Sequence, residues 1–388
     1  MPPKNRFAEL LPEITAWRRD FHENPELLFD VHRTAAKVAA LLRGFGCDEV
    51  VEGIGKTGVV GVIKGKTDAK GRVIGLRADM DALPIIEATG LPYASKTPGK
   101  MHACGHDGHT AMLLGAAKYL SETRNFDGTA VLIFQPAEEG GGGGREMVND
   151  GMMERWGIQE VYGMHNMPGI PVGQFSIRPG ALMAAADQFE VVVTGKGGHA
   201  AKPHETIDTT LVAAQIVVAM QSIASRNVDP LKQVVVSICT FRTESEAFNV
   251  IPQTVLLRGT VRTMDPAVQD FVEARVKALA EGTAQAFGAT AKVDYQRGYP
   301  VTMNAPENTE HAVKVAQAVS GRVDADTAPL MGAEDFSFML NARPGAYIFL
   351  GNGDTAMVHH PAYNFDDNAI PFGSSWYAGM VEERMPAA

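Results

Sequence analysis

The chain has 388 residues, of which 45% are hydrophobic and 21% charged, and its net charge is −10. Those figures fit a globular protein of one or two domains. They argue against a nucleic-acid partner, which wants a basic face, and the apolar runs are too short and interrupted to span a membrane. Met1–Leu10 lacks the continuous apolar core of a signal peptide. Three cysteines, an odd and low count, give no disulfide framework. A cytoplasmic setting is therefore expected.

In chain order, residues 7–43 read as two helices. Leu10, Leu11, Ile14 and Trp17 recur at helical spacing, and a second helical stretch runs from about Thr34 to Leu42. His22-Glu23-Asn24-Pro25-Glu26 between them is a turn signal. Short apolar runs follow, each ending in polar or glycine residues. They are Gly58–Ile63, Val73–Ala78 before Asp79-Met80-Asp81, Thr129–Phe134 before Gln135–Glu139, Val161–Met164 before His165, and Ala346–Leu350 ahead of His359 and His360. Their alternation with helical stretches predicts an α/β domain with a mostly parallel sheet flanked by helices. The middle of the chain differs. Gln188–Val193, Gln233–Phe241, Thr254–Arg262 and Ala291–Tyr295 read as strands, and Thr206 to about Ser225 and Ala267–Phe287 as helices. The order β-α-β-β-α-β is that of a ferredoxin-like α+β sandwich. The expected organisation is a catalytic domain of residues 1–184 and 298–388, with the sandwich inserted at 185–297.

Parallel sheets place their sites beyond the carboxyl ends of the strands, and the polar clusters fall there. Gly99–His109 packs three histidines, Cys104 and Asp107 into eleven residues, just before the buried-helix run Thr110–Leu120. Thiolate and neutral imidazole are the usual ligands of zinc and similar ions. Cys47 and Cys239, in contrast, read as small core residues. Glu138 and Glu139 end a strand, and adjacent acids in a turn can divide the work, one binding a metal and the other moving a proton. The glycines at 140–144 read either as a flexible linker or as close backbone approach around the cluster. Asp79 and Asp81 share a face if the strand continues through them. His165 and His359 lie at further strand ends. Each cluster singly has an ordinary structural explanation. All of them at one end of one sheet do not.

The chain resembles the M20 family of metallopeptidases and amidohydrolases, and within it the branch of hippurate hydrolases and auxin-conjugate amidohydrolases. The matching stretches are Leu76-Arg-Ala-Asp-Met-Asp-Ala-Leu-Pro84, His102-Ala-Cys-Gly-His-Asp-Gly-His109, Gln135-Pro-Ala-Glu-Glu-Gly-Gly141, Gly163-Met-His-Asn166, Gly197-Gly-His-Ala200, Met331-Gly-Ala-Glu-Asp-Phe336 and His359-His-Pro361. The resemblance implies two divalent metal ions bridged by Cys104. His106 and His165 would hold one, and Glu139 and His359 the other. Glu138 would be the general base and Asp81 would support the site. Asp79 stands where many relatives carry histidine, so it is not expected to ligate; His102 and His109 are expected to support the ligands. The inserted domain would be a lid and dimerisation module. From it His199 would reach the partner subunit's site, while Asn249 and Arg262 would bind the substrate's carboxylate.

The expected activity is hydrolysis of the amide bond of N-acyl or N-aroyl amino acids by metal-activated water, with Mn, Zn, Co or Ni as the ion. A dipeptidase or an N-acetyl-amino-acid deacetylase would use the same site. A metal-stabilised binding protein without turnover is the remaining reading, and the extra acid Glu138 argues against it.

Overall fold

The apolar runs of the sequence pair with one another. In a computed structural model, which describes residues 5–387, they build an eight-stranded sheet. Its order is β1 (Glu49–Ile54), β2 (Gly58–Lys64), β4 (Thr129–Gln135), β3 (Val73–Asp79), β5 (Glu160–Met167) and the late strand Gly345–Gly351. The two-residue strands Phe175–Ser176 and Val323–Asp324 complete the far edge. β3 pairs parallel with both β4 and β5, and β5 pairs parallel with Gly345–Gly351. β4 and β5 are buried almost throughout, as expected of strands covered on both faces. β1 and β2 form an antiparallel margin. The sequence reading does not anticipate β1, because Glu49 and Glu52 interrupt its apolar pattern and it is half exposed.

Helices α1 (Asn5–Glu23), α2 (His32–Gly44) and α3 (His106–Thr123) cover the sheet. Phe7, Leu10, Ile14, Trp17 and Phe21 of α1 are buried, the single stripe of an amphipathic helix. α3 is buried nearly all round, the mark of a central helix. It begins at His106, a turn earlier than the apolar run at Thr110 implies, so His106, Asp107 and His109 stand on its first turns and are not loop residues. The helix Ile370–Arg384 packs beside it, with Trp376, Tyr377 and Met380 buried.

The first compact unit takes the chain up to Leu182, then Met303–Ala328, then the stretch from Asp335. The second comprises Met183–Thr302 and Pro329–Glu334. Its sheet has the order Val234–Thr243, Thr254–Thr263, Ala185–Thr194, Thr290–Tyr299, every neighbour antiparallel. Helices Thr209–Ser222 and Pro266–Ala286 pack on it over a core that includes Val191, Ile216, Leu257 and Val276. Asp208 and Asp265 cap these helices, accepting from Thr210 N at 2.9 Å and Ala267 N at 2.8 Å. The unit is an α+β sandwich of ferredoxin-like order. Beyond the expected insert at 185–297 it also takes in Pro329–Glu334, through bonds from Ala184 N to Leu330 O and Gly332 O. Cys239 is exposed on the strand Val234–Thr243 and so is not the core residue expected, whereas Cys47 is half-buried and packs against the core of the first unit. Among the described residues, no helix is long and apolar enough to cross a membrane.

Candidate metal centre

The loops that leave β3 and β4 and the last residues of β5 meet at the first turn of α3. Strand pairing stops at Asp79, so Asp79 and Asp81 do not share a strand face; they flank His106 instead. Asp79 Oδ2 lies 3.6 Å from His106 Nε2, and Asp81 Oδ1 lies 3.5 Å from Nδ1. His106 Nδ1 donates to the Asp81 carbonyl at 2.8 Å, so in the neutral ring that a metal requires it is Nε2 that lacks a proton, and Nε2 faces the acids of the cluster. The Asp81 carboxylate accepts the backbone N–H groups of Glu138 and Glu139 at 2.9 and 3.1 Å. One aspartate therefore orients three neighbours.

Asp79 is fully engaged elsewhere. Arg77 Nη1 donates to it at 2.8 Å and His109 Nδ1 at 2.6 Å. Burial works against its charge, but Arg77, His106 and His109 outweigh it and hold the carboxyl well below its ordinary range. His109 Nε2 accepts from Asn166 N at 2.9 Å. The neighbouring His165 bonds through Nδ1 to Asn166 O at 2.6 Å and sets Nε2 3.3 Å from Cys104 Sγ. His359, a non-glycine residue at φ +67°, joins through its N–H to Ala103 O at 2.7 Å. Its Nε2 stands 3.4 Å from Glu139 Oε1.

Several candidate ligand groups result, and two of them share Cys104. The donor atoms of Cys104, His106 and His165 lie within 4.8 Å of one another, and so do those of Cys104, Glu139 and His359. Cys104 belongs to both. Glu138 forms a further such group with His106 and Glu139. Local backbone makes the meeting possible. Gly105 sits at φ +90°, where a Cβ would collide with Asn166 Nδ2 and Tyr363 Oη. Gly143 would drive a Cβ into Pro136 O, and Gly144 N donates to Asp335 Oδ2 at 2.8 Å. The glycine run is thus close approach and not a linker.

The donor set fits divalent cations. His106 Nε2 and Glu139 Oε1 are buried and have no hydrogen-bond partner. Burial, then Glu139 and Glu138, push the Cys104 thiol well above its ordinary value, so a thiolate there needs positive charge beside it. Burial opposes a charge on His106, but Asp79, Asp81 and Glu139 raise it to about 10. Burial, with His109, pushes His165 well down and keeps it a neutral ligand. A buried cluster with this surplus of acid is completed by metal ions.

The remaining expected residues lie on the second unit. His199 is exposed, and the segment Gly198–His199 pairs with Val250–Ile251 beside Asn249. His199 Nδ1 accepts from Ala201 N at 3.1 Å, which leaves the neutral ring's proton on Nε2, free to donate. Arg262 is half-buried and bonds to Thr260 Oγ1 and Val261 O. The sequence reading missed Arg77, Asn166 and Tyr363. Arg77 left one signal, a charge inside an otherwise apolar strand; Asn166 closes a matching stretch beside His165 but was given no role, and Tyr363 left no signal.

Comparison with known proteins follows the same line. The model of peptidase family M20/M25/M40 matches residues 75–383. The chain is 44% identical over 376 residues to a hippurate hydrolase of Campylobacter jejuni, covering 96% of this chain and 97% of that one. It is 40% identical over 370 residues to an N-acetylcysteine deacetylase of Bacillus subtilis, covering 94% of each. The crystal structure of the Bacillus subtilis YXEP protein, a dinuclear metal-binding peptidase of the M20 family, superposes with a TM-score of 0.86 at 34% identity, covering 98% of this chain and 100% of that one.

Proposed function

This chain belongs to peptidase family M20/M25/M40 and is a metal-dependent amidohydrolase with a dinuclear metal site, and from that premise we propose that it cleaves the amide bond of N-acyl and N-aroyl amino acids of the hippurate kind. The observation that carries the reading is Cys104 shared between two ligand groups, with a further acid, Glu138, beside them. Cys104 would be shared by the two ions, His106 and His165 would hold one of them, and Glu139 and His359 the other. Sulfur, nitrogen and oxygen ligands suit Mn, Zn, Co or Ni. Two such ions would acidify the attacking water and polarise the scissile carbonyl.

The chain's own groups do the rest. Glu138, its backbone fixed by Asp81, takes a proton from the attacking water and returns it to the leaving nitrogen. Asp81 also keeps His106 in the tautomer that presents Nε2. Nε2–H of His199 stabilises the oxyanion, and Arg262 and Asn249 hold the substrate's carboxylate, the guanidinium through paired bonds. His199 is assigned to the partner's site in a homodimer built through the second unit. A cytoplasmic setting keeps Cys104 reduced.

The 40% identity to an N-acetylcysteine deacetylase favours a second reading, in which the acyl group is acetyl. A panel of hippurate, N-acetylcysteine and a dipeptide, run with each of the four metals, separates the two. Hippurate turned over fastest is the expected outcome, and N-acetylcysteine turned over fastest replaces it with the second. Glu138→Gln should keep both metals while activity falls on the order of 10²–10⁴-fold, the usual worth of a general base. Wild-type turnover in a metal-replete Glu138→Gln sample would remove Glu138 from the mechanism.

A further inference from the structure

Behind the ligands lies a second buried cluster that the reaction does not use. Arg18 and His22 of α1, His102, and Asp107 of α3 are each at most 1% exposed. His22 Nδ1 donates to Asp107 Oδ2 at 2.8 Å, and Arg18 Nη1 reaches the same oxygen at 3.4 Å. His22 Nε2 lies 3.3 Å from Glu87 Oε1, and Arg18 Nε donates to Asp367 Oδ1 at 2.8 Å. The ring of His102 is 6.4 Å from that of His22. Four buried polar atoms of this group nevertheless have no hydrogen-bond partner, namely Arg18 Nη2, Asp107 Oδ1 and both ring nitrogens of His102, while the Arg18 guanidinium lies 4.6 Å from the centroid of the Tyr93 ring.

We propose that Arg18, His22, His102 and Asp107 enclose an internal water, and that this cluster clamps α1 onto the segment Cys104–His106, making Arg18, His22 and Asp107 positioning residues for two metal ligands. Buried polar groups left unsatisfied are costly, and ordered waters are their usual remedy. One water can accept from Arg18 Nη2 and donate to Asp107 Oδ1 and to one nitrogen of His102, about three bonds, as buried waters typically make.

The clamp answers a local need. The first turn of α3 starts from Gly105, which offers no side-chain cap. Asp107 follows His106 directly, about 100° round the helix. His106 therefore faces the acids of the metal centre while Asp107 faces α1. Fixing Asp107 to Arg18 and His22 fixes the turn that aims His106 Nε2 and carries Cys104 two residues upstream.

The inference rests on Cys104 and His106 being ligands, and the test separates the two. Chelator competition on the full-length cobalt-loaded protein reads metal affinity, and the thiolate-to-cobalt absorption band reads the geometry at Cys104. Asp107→Asn and His22→Gln should each weaken cobalt about 10–100-fold, as loss of groups that orient ligands does, and shift the band. Arg18→Lys should recover most of what Arg18→Met loses. Glu160→Gln is the control for general destabilisation: Glu160 sits at the opposite end of β5 in its own buried pairing with Arg384 at 2.8 and 2.7 Å. Wild-type affinity and band in Asp107→Asn and His22→Gln, or an equal loss in Glu160→Gln, would overturn the clamp. A wild-type chain that binds no cobalt would instead overturn the ligand assignment. A crystal structure of the metal-loaded enzyme tests the water. Density bonded to Asp107 Oδ1 and Arg18 Nη2 is expected, and a dry cluster closed by direct contacts defeats it.

Discussion

At the scale of single residues the centre depends on which atom each side chain is allowed to present. Asp81 and Asn166 each hold an imidazole by Nδ1, so His165 turns Nε2 toward Cys104 and His106 turns Nε2 toward Glu139. Cys104→Ala removes the atom common to both ligand groups. It should cost metal retention as well as activity, and two tightly held metals per chain in that variant, by elemental analysis, would contradict the bridging role. Gly105→Ala should be as damaging without touching a ligand, because its Cβ has no room between Asn166 and Tyr363; metal bound normally by that variant would contradict the collision. His22 carries a pH signature. Burial works against its charge, but hydrogen bonds to Asp107 and Glu87 outweigh burial and the nearby Arg18, and raise it to about 9. A raised pKa stabilises the fold fully below the unfolded value near 6.5 and loses that contribution as pH climbs through the folded value. The wild-type Tm should therefore fall more steeply than that of His22→Gln between about pH 6.5 and 9. Parallel curves would show that His22 is not charged in the fold. The candidate ligand residues were legible in the sequence because thiol, imidazole and acid are conspicuous at strand ends. Arg18 and His22 were not, because nothing in a helix near residue 20 shows which buried acid it will meet.

At the scale of elements, one buried arginine ties three segments together. Arg77 of β3 donates to Asp79, to Gln135 Oε1 of β4 at 2.9 Å and to Asp335 Oδ1 at 3.0 Å. Gln135 Nε2 and Gly144 N donate to Asp335 as well. Arg77→Met would leave two buried carboxylates without their cation. The expected loss is about 3–5 kcal/mol in denaturant unfolding, the usual consequence of breaking a buried pair. A loss below about 1 kcal/mol, the level of an exposed pair, would mean that water reaches the site. The network also gives a task to Asp335 of the motif Met331–Phe336, which a reading of the chemistry alone left without one. The central strands were legible as continuous apolar runs, since a sheet covered on both faces demands them, whereas the exposed edge strand β1 was not. The start of α3 was not. Its first turn is built from His106, Asp107 and Gly108, which carry no apolar periodicity, and tertiary bonds hold it in place of a cap.

At the scale of the molecule, the proposal that His199 serves the partner's site gives a mixing experiment. His199→Ala and Glu138→Gln should each be inactive alone. If His199 acts in trans, a heterodimer of the two has one site lacking both groups and one with both intact. A random mixture should then recover about a quarter of wild-type activity, on the symmetry of a closed isologous pair. Verified heterodimers that stay inactive, or a wild-type chain that is active as a monomer, would end the shared-site model. By itself the sequence determined the two kinds of sheet and the gathering of thiol, imidazole and acid side chains at strand ends. Period, apolar content and residue chemistry are local properties, and they survive being read along one dimension. The tertiary structure alone decided which nitrogen each histidine presents, that Asp79 is occupied by Arg77 and His109, that Pro329–Glu334 joins the second unit, and that α1 lies against the back of the metal loop. Each of these turns on a bond between residues far apart in the chain, and hydrogen-bond directionality leaves no periodic trace in the sequence.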